Sequence, residues 1–249
     1  MGFKPVNLVY RAYQLIWEAF DWLYPPNCGG CGVSGTRWCK TCDQNTPELT
    51  PPICPICGNP NHNDVLCERC KQSTPQFTAL RSHTIFRGPI REALHRLKYK
   101  GDICLGEALA RPMIDRLVKL NWPLDIITSV PLGLVRFEER GYNQATLLAR
   151  PIAYSLKIPF SSRVLSRTRE TRSQVGLSVR ERQQNMDGAF KVQGKLVQGK
   201  NLLVVDDVAT SGATLNACAK ALRDAGANRV YGFSLTRAVF SPDGDIDIT

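Results

Sequence analysis

Two adjacent carboxylates, Asp206 and Asp207, follow an apolar run and are the residues of this chain best suited to chemistry. The run at 202–205 predicts a buried strand, and the segment 215–224 predicts an amphipathic helix. Between them lies a loop of small and hydroxyl residues: Thr210, Ser211, Gly212, Ala213 and Thr214. Carboxylates at a strand end can accept hydrogen bonds from sugar hydroxyls, and backbone N–H groups at a helix start suit a phosphate. A ligand that carries both a ribose and a phosphate would use both halves.

The same order of residues also describes an ordinary strand followed by an N-capped helix. Two observations favour a ligand site instead. Asp206 and Asp207 repel each other, which costs stability unless a ligand or a cation uses the pair. The loop also holds five small or hydroxyl residues in a row, more than one cap needs. No Gly-x4-Gly-Lys-Ser/Thr sequence occurs, which argues against a P-loop nucleoside triphosphatase.

Eight of the ten cysteines form four Cys-x2-Cys pairs, a spacing typical of zinc ribbons. Each pair presents two thiolates to one tetrahedral ion, so two pairs complete a structural site. Sequential pairing predicts one zinc ion bound by Cys28, Cys31, Cys39 and Cys42, and a second bound by Cys54, Cys57, Cys67 and Cys70. The alternatives are a cross-braced pairing, a redox pair or an iron–sulfur cluster. His62 lies inside the second loop, but four thiolates already satisfy a metal ion.

The formal net charge of +10 at pH 7 suits a polyanionic partner, either nucleic acid or a polyphosphate ligand. The 249 residues, 43% hydrophobic and 22% charged, are typical of a globular chain with one moderate domain and a small one. Residues 1–24 lack the features of a signal peptide and predict an amphipathic helix that packs on the protein's own core. No run of about 18 apolar residues occurs, so we expect no membrane span and a cytoplasmic location.

Strand and helix patterns alternate from residue 124 onward, which favours an α/β fold with a mostly parallel sheet flanked by helices. We expect strands near 80–86, 124–131, 164–165, 190–192, 202–205 and 229–235, and helices near 89–100, 105–120, 144–156 and 215–222. Ligands bind at the carboxyl edge of such sheets, where the acidic pair and the turn after Val130 would meet. Cys104 and Cys218 fall in helical patterns and are expected in the core.

The segment 204–214 resembles the phosphoribosyl pyrophosphate motif of type I phosphoribosyltransferases. In that family the two acids hold the ribose 2- and 3-hydroxyls, and the following loop wraps the 5-phosphate. The resemblance implies these roles for Asp206 and Asp207 and for the loop 210–214. It also implies that Val130 lies in a pyrophosphate loop and that Mg²⁺ accompanies the ligand.

A second resemblance covers nearly the whole chain. The segments 97–101, 140–144 and 172–190, with the cysteine-rich N-terminus, resemble the ComF/GntX family. That family joins zinc ribbons to a type I phosphoribosyltransferase domain and is associated with DNA uptake in bacterial competence. The resemblance implies a division into an N-terminal helix at 1–24, a double zinc ribbon at 25–75 and a phosphoribosyltransferase-like domain at 76–249.

Four basic residues are candidates for binding the ligand or covering it at the reaction centre. Guanidinium groups can donate two hydrogen bonds to phosphate oxygens, so Arg136 and Arg140 are candidate pyrophosphate partners. Lys98 is a further candidate through its ammonium charge. Arg172 lies in an arginine-rich stretch, 163–182, that we expect to be a mobile loop able to close over the ligand.

Two functional hypotheses follow. The first is an enzyme that transfers phosphoribose to an unknown acceptor by substitution at the anomeric carbon. The second is a non-catalytic sensor of phosphoribosyl pyrophosphate that acts with other DNA-uptake proteins. In the second hypothesis the ribbons bind single-stranded DNA by charge and stacking, through Arg37, Trp38, Lys40, Arg69 and Lys71.

Overall fold

The computed structural model describes residues 8–61, 63, 65–169, 181, 185, 186 and 188–239. Helices lie at α1 (Leu8–Leu23), α2 (Lys40–Gln44), α3 (Glu68–Gln72), α4 (Pro89–Tyr99), α5 (Leu105–Leu120), α6 (Leu134–Arg140), α7 (Gln144–Leu156) and α8 (Ala213–Asp224). Strands lie at β1 (Ala79–Ile85), β2 (Ile126–Ser129), β3 (Leu165–Arg167), β4 (Phe190–Val192), β5 (Asn201–Ala209) and β6 (Arg229–Arg237).

Four parallel strands form the main sheet in the order β1-β6-β5-β2, and β3 and β4 form a separate antiparallel pair. The central strands β5 and β6 are buried along most of their length, which explains their continuous apolar runs. Side chains of α4, α5 and α7 cover one face of the sheet, and α8 covers the other. The α/β fold with a mostly parallel sheet is therefore as the sequence predicts.

Strand β5 extends further than the apolar run indicates. It continues to Ala209, and its ladder with β6 pairs Asp206 with Ser234 and Val208 with Thr236. Ser234 and Thr236 of β6 are fully buried, and Asp206 and Asp207 of β5 are almost so. Polar residues therefore continue both strands beyond their apolar runs. Both carboxylates consequently lie inside the strand rather than after it.

Two local features differ from the sequence pattern. Helix α6 has no buried residue and exposes Leu134, Val135 and Phe137, so no amphipathic period reveals it. Cys104 is half-buried at the start of α5, where it stands outside the core, whereas Cys218 is fully buried on α8 as expected.

Helix α1 contacts the α/β domain with one side. The ring of Tyr13 makes an edge contact with Tyr154 of α7 at a centroid distance of 5.5 Å, and Asp21 forms an ion pair with Arg37 at 2.5 Å. Its other side leaves Ile16 and Trp22 more than half exposed. Among the described ranges, every helix is too short or too polar to cross a membrane.

The two cysteine-rich ribbons are attached to different parts of the α/β domain. In the first, the carbonyl of Cys28 accepts a hydrogen bond of 2.8 Å from Arg96 Nη1 on α4. In the second, the carbonyl of Ile56 accepts a hydrogen bond of 2.7 Å from the backbone N–H of Leu80 on β1. Each ribbon thus supports an element that borders the carboxyl edge of the sheet.

Candidate functional site

The two carboxylates of β5 are almost completely buried, at 9% and 5% exposure for Asp206 and Asp207. Asp206 Oδ1 accepts the N–H of Asp207 at 2.9 Å, and Asp207 Oδ1 accepts the N–H of Val208 at 2.9 Å. One oxygen of each group is therefore held by the backbone. Both residues line the same cleft of about 390 Å³.

A cation from a distant helix faces this acidic pair. Nζ of Lys98, on the last turn of α4, lies 2.6 Å from Asp207 Oδ2. Burial alone would raise the pKa of Asp207, but the Lys98 ammonium, together with hydrogen bonds from Asp206 and the N–H of Val208, outweighs burial and places the pKa below its usual value. Burial and the charge of Asp207 raise the pKa of Asp206 well above its usual value. Lys98 therefore favours ionisation of Asp207, whereas burial and the charge of Asp207 disfavour ionisation of Asp206.

The hydroxyl loop joins β5 to the N-terminus of α8 and divides between two cavities. Thr210 and Thr214 line the main cleft with the acids. Ser211, Gly212 and Ala213 line a separate cavity of about 50 Å³, together with Arg69 of the second ribbon. Gly212 has a φ of +79° and lies against Leu80, so the loop needs glycine both for its turn and for its close packing.

The opposite wall of the cleft comes from the turn after β2 and from α6. The carbonyl of Val130 accepts a hydrogen bond of 2.9 Å from Asn143 Nδ2, which fixes that turn. Arg140 Nη1 donates to Gln144 Oε1 at 2.9 Å, and its guanidinium stacks over the ring of Tyr99 at 5.1 Å. Arg136 is exposed at the rim.

The structure thus brings most of the predicted site residues to one place. The main cleft contains Lys98, Val130, Arg136, Arg140, Asp206, Asp207, Thr210 and Thr214. Arg172, predicted to close over the ligand, lies outside the described residues.

Five further polar side chains line the cleft but were not among the predicted site residues: Tyr99, Glu139, Asn143, Gln144 and Arg167. Tyr99, Asn143 and Gln144 belong to the segments 97–101 and 140–144, whose resemblance to a known family was a usable signal. They carry no charge, and for that reason their types alone do not mark them as ligand residues. Arg167 stands on β3 at the start of the arginine-rich stretch, where composition predicts only a loop.

The cysteines form two compact clusters, in the sequential grouping. Within each set of four, the sulfur atoms all lie within 4.8 Å of one another. Zn–S bonds of about 2.3 Å would place sulfur atoms about 3.8 Å apart around a tetrahedral ion. The Sγ atoms of Cys31 and Cys39 are 3.7 Å apart, and those of Cys57 and Cys67 are 3.6 Å apart. His62 lies outside the described residues.

In each ribbon, backbone N–H groups favour the thiolate form of one cysteine. Burial would raise the pKa of the Cys28 thiol, but N–H groups of Cys31, Cys39 and Gly30 outweigh it and lower the pKa to about 6. Burial of Cys54 is outweighed in the same way by N–H groups of its own ribbon, and its pKa is also about 6. Burial and the neighbouring thiols raise the pKa of Cys42 and Cys70, so it is the sulfur geometry of the two four-cysteine sets that supports structural zinc.

Several ribbon residues predicted to bind DNA are already engaged within the protein. Arg37 is 8% exposed and donates to Asp21, and Trp38 Nε1 donates to Asp43. Lys71 forms an ion pair with Glu68 at 2.7 Å on the surface. Lys40 is exposed and Arg69 is half-buried beside the hydroxyl loop. Contact of a ribbon with DNA would therefore depend on Lys40, Arg69 and Lys71.

Comparison with known proteins agrees with this arrangement. Residues 19–71 match the double zinc ribbon domain, and residues 106–232 match the phosphoribosyl transferase domain. The DNA utilization protein YhgH of Escherichia coli K12 is 34% identical over 81% of this chain and 90% of its own length. Competence protein F of Haemophilus influenzae is 29% identical over 84% and 94%, and competence protein ComFC of Bacillus subtilis is 28% identical over 80% and 84%.

Proposed function

Because the chain belongs to the ComF family, with a double zinc ribbon and a phosphoribosyltransferase domain, we propose that it binds phosphoribosyl pyrophosphate and transfers its phosphoribosyl group. The relatives are named for DNA utilisation and competence, and we propose that this protein also acts in the handling of external DNA. A cytoplasmic location is part of this proposal, since reduced thiols are needed to hold zinc. The acceptor of the phosphoribosyl group is not assigned.

One observation carries the proposal. Two buried carboxylates, Asp206 and Asp207, face a cleft whose wall includes Thr210 and Thr214 of the hydroxyl loop and the cations of Lys98 and Arg140. Buried carboxylates next to one another are costly, and a ribose diol that donates to both would offset that cost. Phosphate on one side of the ribose would meet loop N–H groups, and pyrophosphate on the other side would meet the cationic wall.

The reaction in this proposal is a substitution at the anomeric carbon of the ribose. The bond between that carbon and a pyrophosphate oxygen breaks, and a bond to a nucleophilic nitrogen or oxygen of the acceptor forms, with the acceptor proton passing to solvent. The leaving group takes the bonding electron pair. Guanidinium and ammonium groups at the Arg136, Arg140 and Lys98 positions stabilise its growing negative charge.

Magnesium is part of the same proposal. A Mg²⁺ ion that accompanies the ligand would supply charge neutralisation for the leaving pyrophosphate. Within the chain, Lys98 already holds a positive charge beside Asp207 before a ligand arrives. Ligand hydroxyls that approach Asp207 must share that carboxylate with Lys98.

A calorimetric titration with phosphoribosyl pyrophosphate and Mg²⁺ tests the proposal. We expect wild type to bind and the double change Asp206→Asn with Asp207→Asn to lose at least 100-fold in affinity, because both acceptors of the ribose hydroxyls become amides. Asp224→Asn is the matched control, since that carboxylate is exposed on α8 and pairs with Lys220. Equal binding by the double variant and wild type would refute the assignment of the acidic pair.

Turnover is tested separately by release of pyrophosphate in a screen of nucleobases and amines. Binding without release of pyrophosphate in that screen would favour the second function, a non-catalytic sensor. For that function we expect affinity for single-stranded DNA to fall steeply with salt and to survive the double Asn change. Replacement of Lys40 and Lys71 by Gln would weaken such binding, whereas no binding at low salt would exclude it.

A further inference from the structure

Arg237 is a fully buried cation with an incomplete set of partners. It is the last residue of β6, is 0% exposed, and pairs in the ladder with Ala209 of β5 and Ile85 of β1. Its Nε lies 3.5 Å from Asn59 Oδ1, while Nη1 and Nη2 have no hydrogen-bond partner in the described part of the chain. An arginine stays charged in proteins, and an uncompensated buried charge is strongly unfavourable.

The second ribbon contacts this guanidinium through Asn59. Asn59 belongs to the knuckle that holds Cys54, since its carbonyl accepts the N–H of Cys54 at 2.8 Å. Burial lowers the pKa of Arg237 to about 10, and the negative charges of Cys57, Cys67 and Cys54 oppose that shift. Negative charge held at these cysteines would therefore favour the charged form of Arg237.

The first ribbon differs in this respect. Its buried arginine, Arg37, has a carboxylate partner, with Nε and Nη2 both donating to Asp21. Arg81, a second cation near Cys54 and Cys57, uses Nη1 and Nη2 on the carbonyls of Leu80 and Pro55. Of Arg37, Arg81 and Arg237, only Arg237 has two terminal nitrogens without a hydrogen-bond acceptor among the described residues.

We propose that Arg237 is the counter-cation of the second zinc site, formed by Cys54, Cys57, Cys67 and Cys70. A zinc ion with four thiolates carries a formal charge of about −2, and a buried guanidinium beside it offsets part of that charge. The last strand of the sheet thereby contributes to a metal site of the ribbon, and zinc at that site stabilises the end of β6 next to the hydroxyl loop.

This role predicts opposite effects in two states of the protein. In the zinc-loaded protein, Arg237→Met removes the positive charge that offsets the thiolates, so zinc at the second site should be held less tightly. In the metal-free protein, the same change removes a buried charge that lacks its counter-charge, so thermal stability should stay the same or rise. A residue that only fills space would lose stability in both states.

The experiment follows zinc release to a colorimetric chelator and the melting temperature with and without zinc. We expect Arg237→Met to release one of two zinc ions at least tenfold faster and the other at the wild-type rate. Arg81→Met is the matched control and should change release less than threefold, because Arg81 is saturated by backbone carbonyls. Release of both ions at wild-type rates, or equal destabilisation with and without zinc, would overturn the proposal.

A second pair of variants covers the case in which Arg237→Met does not fold. Arg237→Lys keeps the charge and should retain both zinc ions, whereas Arg237→Gln should lose the second ion under the same chelator. If Lys and Gln behave alike, charge is not what the site needs and the proposal fails. Neither measurement uses phosphoribosyl pyrophosphate, so the result is independent of the proposed function.

Discussion

At the scale of residues, the acidic pair shows how a local sequence acquires its chemistry from distant groups. Asp206 and Asp207 are chemically identical, yet their pKa values shift in opposite directions. The difference arises because Lys98 lies against Asp207. At Asp206, burial and the neighbouring charge of Asp207 dominate and raise the pKa.

The raised pKa of Asp206 predicts that the change Asp206→Asn increases the stability of the protein by an amount that depends on pH. An acid whose pKa is raised by folding costs stability as pH rises from its unfolded value toward its folded one. We therefore expect the free energy of unfolding of the zinc-loaded variant to exceed that of wild type by roughly 1–2 kcal/mol at pH 8, and this difference to shrink toward pH 5. Asp224→Asn should show no such trend. A variant less stable than wild type at every pH would indicate that Asp206 is ionised and paired in the free protein.

At the scale of elements, the connection from β5 to α8 depends on one glycine. Gly212 combines a φ of +79° with a distance of 3.2 Å from its ideal Cβ position to Leu80 Cδ2. A side chain there meets backbone strain and a packed neighbour at once. The turn therefore fixes the loop against β1.

Gly212→Ala should lower the free energy of unfolding by about 1–2 kcal/mol and also abolish binding of phosphoribosyl pyrophosphate, because the loop must shift. Gly199→Ala is the control, since Gly199 has a φ of +67° but nothing within 4 Å of its Cβ position. It should show a similar loss of stability in denaturant and normal binding in the titration. Equal loss of affinity in both variants would attribute the effect to global stability.

At the scale of the whole molecule, the ribbons support the site from two sides. The first ribbon contacts α4 through Arg96 and Cys28, and α4 carries Lys98 into the cleft. The second contacts β1 and lies beside the hydroxyl loop. Both metal clusters therefore act on elements that build the cleft.

Loss of the first zinc ion should loosen α4 selectively. We expect Cys31→Ser with Cys39→Ser to speed hydrogen exchange of the α4 amides by about tenfold or more, while amides of β5 and β6 keep their protection. Cys104→Ser, which changes a half-buried cysteine outside the two clusters, is the control. Unchanged exchange in α4 would show that the helix is held by the sheet alone.

The sequence by itself determined the features that depend on neighbours along the chain. Cysteine spacing identified the eight metal ligands, although only the structure decided between sequential and cross-braced grouping, and apolar periods located the strands and most helices, because these patterns reflect local geometry. The sequence did not predict helix α6 because α6 buries no side chain. It missed the end of β5 because Asp206 and Asp207 interrupt the apolar run, and the end of β6 because its last two residues, Thr236 and Arg237, are buried polar side chains.

Only the tertiary structure decided which distant residues meet. The order β1-β6-β5-β2 places β6 between β1 and β5, so that Arg237 reaches the second ribbon while Asp207 faces Lys98 of α4. Such contacts arise from chain crossings and from packing of buried faces, which no local pattern encodes. The same packing made Asp206 and Asp207 unequal, because the strength of a charge interaction depends on distance and burial rather than on sequence position.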